Sequence, residues 1–239
     1  TSTATITVIV NNLNDNSPGF SSSASFSAAE NQTAIGTATA TDADGEALTF
    51  TVSGSELAIT SAGVLTFISV PDYETKSSYS ATVTVTDGTN AATQEVAVTV
   101  LNVNDAPAFS SSATFSAAEN QTSIGSVSVS DPESDALTYS LSGTDAGSLA
   151  ISSSGVLSFG SAPNYESKNS YSANVLAGDG TNTTTQAITI SVTDVNDAPV
   201  ATAAAYTMDL KPQAQTSGSL TLAGTDEDGD TLTYSILTN

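Results

Sequence analysis

The stretch Phe26-Ser-Ala-Ala-Glu30-Asn-Gln-Thr33 returns unchanged as Phe115-Ser-Ala-Ala-Glu119-Asn-Gln-Thr122, 89 positions on (119 − 30). Outward from it the copying continues. Asp42 in TATATDADG falls by the same offset on Asp131 in SVSVSDPES. Pro71-Asp72-Tyr73-Glu74 returns as Pro163-Asn164-Tyr165-Glu166, and Asp87-Gly88-Thr89-Asn90 as Asp179-Gly180-Thr181-Asn182, now 92 positions on (166 − 74). Three residues are therefore inserted near the turn at Ser142–Ser148. A period of this length, seen twice, governs the whole reading of the chain.

A third signature bounds each copy: Asn14-Asp15-Asn16-Ser17-Pro18, Asn104-Asp105-Ala106-Pro107 and Asn196-Asp197-Ala198-Pro199. Proline fixes its own φ and pushes the residue before it toward extended backbone, which suits a short, stiff connection. We expect residues 1–16 to be the last strand of a preceding repeat plus linker, 17–104 a first repeat, 105–196 a second, and 197–239 the opening strands of a further, incomplete one. The chain begins in mid-strand pattern, as expected of a fragment of something longer.

Within each copy the hydrophobic period is 2. Ile35–Thr41, Leu48–Val52, Val64–Phe67, Tyr79–Val85 and Val96–Val100 alternate apolar residues with Ser, Thr and Ala, between Gly, Asn and Asp punctuation. With a strand through Phe26 and one near Leu57–Thr60, about seven short strands fill each copy. The expected fold is all-β: tandem seven-stranded Greek-key sandwiches arranged end to end. No segment carries a convincing helical period.

Composition narrows the chemistry. The 239 residues include no Cys and no His, which removes thiol and zinc sites, disulfides and Ser-His-Asp triads. Three lysines (Lys76, Lys168, Lys211) face 25 acids, for a net charge of −22. Nucleic acid and anionic membranes would be repelled. No apolar run approaches a membrane span, so no direct insertion of this segment is expected.

The acids gather at strand ends beside the boundaries. Around the second boundary stand Glu30, Asp72, Glu74, Asn102, Asn104, Asp105, Asp131, Glu133 and Asp179. All are hard oxygen donors. Two unit charges about 4 Å apart repel by roughly 4 kcal/mol at an effective dielectric near 20, so several cannot converge unscreened. A divalent cation resolves the conflict, and calcium, with its flexible shell of oxygens, suits mixed carboxylate, amide and backbone donors better than magnesium.

The set Ala-x-Glu-Asn-x-Thr, Asp42-x-Asp44, Pro-Asp-Tyr-Glu, Asp87-Gly88 and Asn12-x-Asn14-Asp15-Asn16-x-Pro18-x-Phe20 resembles the cadherin repeat in its bacterial cadherin-like form. The likeness covers essentially the whole chain. It implies seven-stranded sandwiches in series with up to three calcium ions at each junction; we expect one to three. The resemblance assigns as ligands Glu30 and Glu119, Asp72/Glu74 and Asn164/Glu166, Asp42/Asp44, Asp131/Glu133 and Asp226/Asp228, and the late Asp87 and Asp179. The linkers add Asn12, Asn14, Asp15 and Asn16, then Asn102, Asn104 and Asp105, then Asp194, Asn196 and Asp197. The chain departs from the family where Asn12 and Asn102 replace a linker aspartate, where Asn164 replaces an acid, and where Asn-Asp-Ala-Pro is one residue short. Family adhesion through a swapped tryptophan strand does not carry over, because the chain has no Trp.

Each feature also has a plainer reading. Asp226-Glu-Asp-Gly-Asp230 resembles the start of an EF-hand loop but lacks the glutamate at position 12. Tyr73, Tyr79, Tyr165 and Tyr171 are expected to pack in cores and not to form a sugar platform. Lys76 and Lys168 read as ordinary exposed lysines and not as isopeptide donors. Asn31, Asn120 and Asn182 fit a glycosylation sequon. The function expected is a non-catalytic, calcium-binding and calcium-rigidified extracellular spacer or adhesion module of a larger surface protein. Its partners would be neighbouring repeats, with homophilic or filament self-association or surface glycans beyond them. The alternatives are a carbohydrate-binding module, or a filament subunit that donates its strand Thr3–Val10 to a neighbour.

Overall fold

The computed structural model describes residues 2–202 and 222–235. Much of the expected incomplete repeat, including Lys211 and residues 236–239, lies outside the described residues. The chain divides into two compact units, Thr1–Asp105 and Ala106–Asn239.

In the first unit, β1 (Gly19–Phe20), β2 (Ser25–Ala29), β3 (Ala34–Thr37), β4 (Ala40–Thr41), β5 (Thr49–Val52), β6 (Leu57–Ile59), β7 (Val64–Phe67), β8 (Ser78–Thr86) and β9 (Ala91–Leu101) follow in order. They form a four-stranded sheet, β2-β9-β8-β5, and a three-stranded sheet, β3-β7-β6, with β1 paired to β4. Every pairing in the larger sheet is antiparallel except that of β2 with β9, which is parallel from Ser25↔Ala97 to Ala29↔Leu101. Alternation explains the layers. In β9 the inward Val96, Val98 and Val100 are buried while Glu95, Ala97 and Thr99 face outward. They meet Leu65, Val83 and Val85 between the sheets, and Phe67 stands edge-on to Tyr79 with ring centroids 5.0 Å apart.

The second unit repeats this with β10 (Ala108–Phe109), β11 (Thr114–Ala118), β12 (Ser123–Ser126), β13 (Val129–Ser130), β14 (Thr138–Ser142), β15 (Leu149–Ile151), β16 (Val156–Phe159), β17 (Ser170–Gly178) and β18 (Thr183–Thr193). Its sheets are β11-β18-β17-β14 and β12-β16-β15. Beyond them, β19 (Val200–Thr202) pairs with β20 (Ala223–Thr225).

Two departures from the sequence reading have local causes. The strand expected over Ile35–Thr41 is two strands, because the chain changes partner: Ala34–Thr37 pairs with β7 and Ala40–Thr41 with β1. Between them Ala38, 1% exposed, donates its N–H to Gly63 O. The three-residue insertion forms one 3-10 turn, Ala146–Ser148. By contrast, Ile6, Val8 and Val10 remain 85%, 78% and 88% exposed, with no strand partner.

Candidate metal centres at the repeat boundaries

The early glutamate is the anchor of each boundary. Glu30 and Glu119 are each 2% exposed, the only buried charged residues among those described. Their carboxylates are held by backbone donors. Tyr73 N–H donates to Glu30 Oε2 at 2.7 Å and Val103 N–H to Oε1 at 2.8 Å. Tyr165 N–H and Val195 N–H do the same for Glu119 at 2.7 and 2.8 Å. One side chain thus ties the turn before β8 or β17 to the linker after β9 or β18.

The next residue, Asn31 or Asn120, sits at φ 61, a left-handed conformation that Asn tolerates better than most side chains. That turn aims its amide at the linker: Asn31 Nδ2 donates to Asp105 Oδ1 and Asn120 Nδ2 to Asp197 Oδ1, each at 2.8 Å. The asparagines of the repeated Glu-Asn pair therefore orient the linker aspartates. Their exact recurrence was the available signal, although composition suggested only a sequon.

At the closing end of the first unit, Glu30, Glu74 and Asp105 each bring one carboxylate oxygen within 4.8 Å of the others. Asp72 lies outside that group, because its two oxygens accept Thr75 N–H and Oγ–H at 3.0 Å and so hold the local turn. Asn102 is exposed. Asn104 Nδ2 donates to Asp105 O at 3.0 Å, as Asn196 Nδ2 does to Asp197 O at 2.8 Å.

At the closing end of the second repeat, Glu119, Glu166 and Asp194 converge in the same way, as do Glu166, Asp197 and Glu227. Burial, followed by the charge of Asp228, pushes the Asp194 carboxyl above its usual range. For Glu166 a hydrogen bond from its own backbone pulls downward. Burial and the charges of Glu119, Asp228 and Asp194 outweigh it and raise the carboxyl. These groups resist being ionised together. Asp228 Oδ2 accepts Asp197 N–H at 2.6 Å, whereas its Oδ1 is closed off from solvent with no hydrogen-bond partner. Asp226 Oδ1 accepts Asp230 N–H at 3.1 Å.

The opening end of the first repeat follows the same plan. Asp42 Oδ1 caps Asp44 N–H at 2.8 Å, and Asp131 Oδ1 caps Asp135 N–H at 3.0 Å. The other oxygens, Asp42 Oδ2 and Asp131 Oδ2, are shut off from solvent without partners. Glu133 follows in the same loop, half-buried. Asp44 Oδ2 accepts the backbone N–H of Asp15 at 3.1 Å and of Asn16 at 2.8 Å. The Asn16 backbone and then its amide hold the Asp44 carboxyl below its usual range. Asn12 Nδ2 donates to Asp44 O at 2.9 Å. Asn14 Oδ1 accepts Asn90 Nδ2 at 3.1 Å, fastening the linker to the turn after β8. That turn is built by Asp87, whose Oδ1 accepts Thr89 N–H and Asn90 N–H, as Asp179 does for Thr181 and Asn182. The Asn90 backbone leads in holding the Asp87 carboxyl down.

Glu46 joins Asp42 and Asp44 within 4.8 Å, and its Oε2 is an enclosed acceptor without a partner. Burial first, then its acidic neighbours, push its carboxyl up. Glu46 and Glu227 join these carboxylate clusters although the sequence reading did not name them. Glu46 follows the Asp42-x-Asp44 pair and Glu227 sits inside Asp226-x-Asp228, and that adjacency was the only signal. The donor chemistry fits a hard cation throughout: oxygens alone, several carboxylates per end, and unpartnered enclosed acceptors at Asp42, Asp131 and Asp228.

Tyr79, Tyr165 and Tyr171 pack against the cores as expected, whereas Tyr73 is 37% exposed and stands outside the first core. Lys76 Nζ lies 4.4 Å from the Tyr79 ring centre and Lys168 Nζ 4.5 Å from that of Tyr171, while Phe67 and Phe159 stand against the same rings. Lys76 is paired with Glu56 and Lys168 with Asp145.

Fold and boundary geometry define a class: tandem β-sandwich repeats of cadherin-like fold with acid-lined ends. Three solved structures carry that likeness. Mouse cadherin-23 EC22–24 aligns with a TM-score of 0.56 at 23% identity, covering 89% of this chain and 78% of that one. Human protocadherin-24 EC1–2 (form II) gives 0.55 at 24%, covering 74% and 99%. Human CDH23 EC21–23 gives 0.55 at 21%, covering 88% and 80%. In sequence, a family model described as a bacterial Ig domain matches residues 104–192. No curated protein sequence matches the chain.

Proposed function

We propose that this chain is a calcium-binding, calcium-rigidified module of a larger extracellular surface protein, serving as spacer or adhesive segment. The adhesion-type fold supports the module role. The observation that carries the calcium reading is the convergence of Glu119, Glu166 and Asp194, two of them with raised carboxyls, beside the unpartnered Asp228 Oδ1. Glu119, Glu166, Asp194 and Asp197 from the closing end, with Asp226 and Asp228 from the following segment, would hold the ion. Calcium supplies positive charge that lets these oxygens stay ionised at close range and links two stretches of chain that otherwise repel. Glu30, Glu74 and Asp105 would serve in the same way, as would Asp42, Asp44, Asn12, Asn14, Asp15, Asn16 and Asp87.

Extracellular modules typically bind calcium at about 10⁻⁴–10⁻³ M, so stiffness would follow external calcium. Calorimetric titration paired with small-angle scattering in calcium and in chelator tests this. Uptake of calcium with a longer maximum dimension is expected; no uptake, or an unchanged dimension, would reject the reading.

A further inference from the structure

At the closing end of the second repeat an acid has disappeared from one position and appeared at another. Asn164 stands where the first repeat has Asp72. Glu227, the middle residue of Asp226-Glu227-Asp228, is acidic where the earlier copies have Ala43 and Pro132. In the folded chain the two replacements meet: Asn164 Nδ2 donates to Glu227 Oε2 at 2.8 Å. Glu227 also brings a carboxylate oxygen within 4.8 Å of one from Glu166 and one from Asp197. The neighbouring Asp228 Oδ1 is already an enclosed acceptor without a donor.

We propose that Glu227 is a cation ligand contributed by the following segment, replacing the charge absent at Asn164, and that Asn164 is its positioning residue. This rests on the calcium reading above. The amide of Asn164 has no charge to offer a cation, but its N–H donor fixes a flexible carboxylate. Its Oδ1 meanwhile keeps the turn-capping role of Asp72 by accepting Ser167 N–H at 2.8 Å. An aspartate at 164 would set a like charge against Glu227. Asn164 thus restricts which repeat can come next in the chain: a copy with Ala or Pro inside its Asp-x-Asp pair would leave this ion one carboxylate short. The ligand class is a hard divalent cation, since Glu166, Asp197 and Glu227 present only anionic oxygens.

Calcium chloride titrated into the full chain by calorimetry tests the assignment, with melting in chelator as the folding control. Glu227 is exposed, so E227Q should melt in chelator close to the parent. E227Q is expected to lose one bound ion, or to weaken one site at least about tenfold, as loss of a coordination-sphere partner does. N164D added to E227Q should restore much of that loss by returning the carboxylate to its first-repeat position. A parent that takes up no calcium would overturn the calcium reading itself. A parent that binds calcium while E227Q matches it in stoichiometry and affinity would overturn only the Glu227 assignment. An E227Q loss that N164D leaves untouched would overturn the exchange of roles.

Discussion

The two complete repeats share a backbone plan yet place several charges differently. Lys76 pairs with Glu56 in the first, but the equivalent Lys168 pairs with Asp145, which lies in the inserted turn. Each lysine keeps its place over a tyrosine. Asp72 and Asn102 in the first repeat become Asn164 and Asp194 in the second, acid giving way to amide at one place and amide to acid at the other. A hollow of about 140 Å³ beside Tyr79 becomes one of about 440 Å³ beside Tyr171, where Gly160 and Ala162 replace the exposed Ile68 and Val70. What persists for the lysine is an acidic partner, while the chain position that supplies it drifts from Glu56 to the inserted turn at Asp145.

Substitution at equivalent positions can break this comparison. The largest effect belongs to the core: Ile190→Ala, and Val98→Ala at the equivalent point, should each cost about 2–5 kcal/mol in denaturant unfolding. Val8→Ala, at the same phase of the alternating pattern but 78% exposed, should stay within about 0.5 kcal/mol. A large Val8 effect would mean that Thr3–Val10 is buried in solution by another strand. Next comes Glu119→Ala measured in chelator. It strips two backbone N–H groups of a charged acceptor and should cost roughly 2–3 kcal/mol, with Glu30→Ala matching it. Unequal losses would show that the anchors are not equivalent.

The turn glycines sharpen the comparison further. A Cβ on Gly63 (φ +86) would lie 2.2 Å from Ala38 O, whereas on Gly155 (φ +78) it would lie 3.0 Å from Val127 O. Both alanines introduce strain of about 1–3 kcal/mol, with Gly63→Ala the worse of the two in melting temperature.

The smallest effect is at the lysine pairs. The Lys168 side chain, joined by Ser172 N–H, holds the Asp145 carboxyl below its ordinary value. A depressed folded pKa gives stability that is present above the unfolded carboxylate pKa and is lost as pH falls through the folded one. Asp145→Asn should therefore remove a small part of the acid sensitivity below about pH 4 and shift the neutral-pH melting temperature little. Melting from pH 2 to 7 checks this.

The sandwich was legible because repetition and alternation are both written locally: Val96, Val98 and Val100 announce their face by spacing alone. The break at Ala38 was not legible, because it depends on Gly63 O and on β1 arriving from elsewhere in the chain. At the boundaries, Glu30 and Glu119 could be picked out by recurrence. Asp72 was placed in the metal set by position, but its oxygens turn back to Thr75. Glu46 and Glu227 escaped notice because their importance comes from which acids they meet after folding, and no repeat marks them.

The parallel pairing of β2 with β9, and of β11 with β18, carries a mechanical consequence. A pull on the two ends of a repeat drags these neighbouring strands in opposite directions along their length. All five register pairs then bear load together in shear and do not peel one at a time. Such a repeat would give way abruptly and at high force.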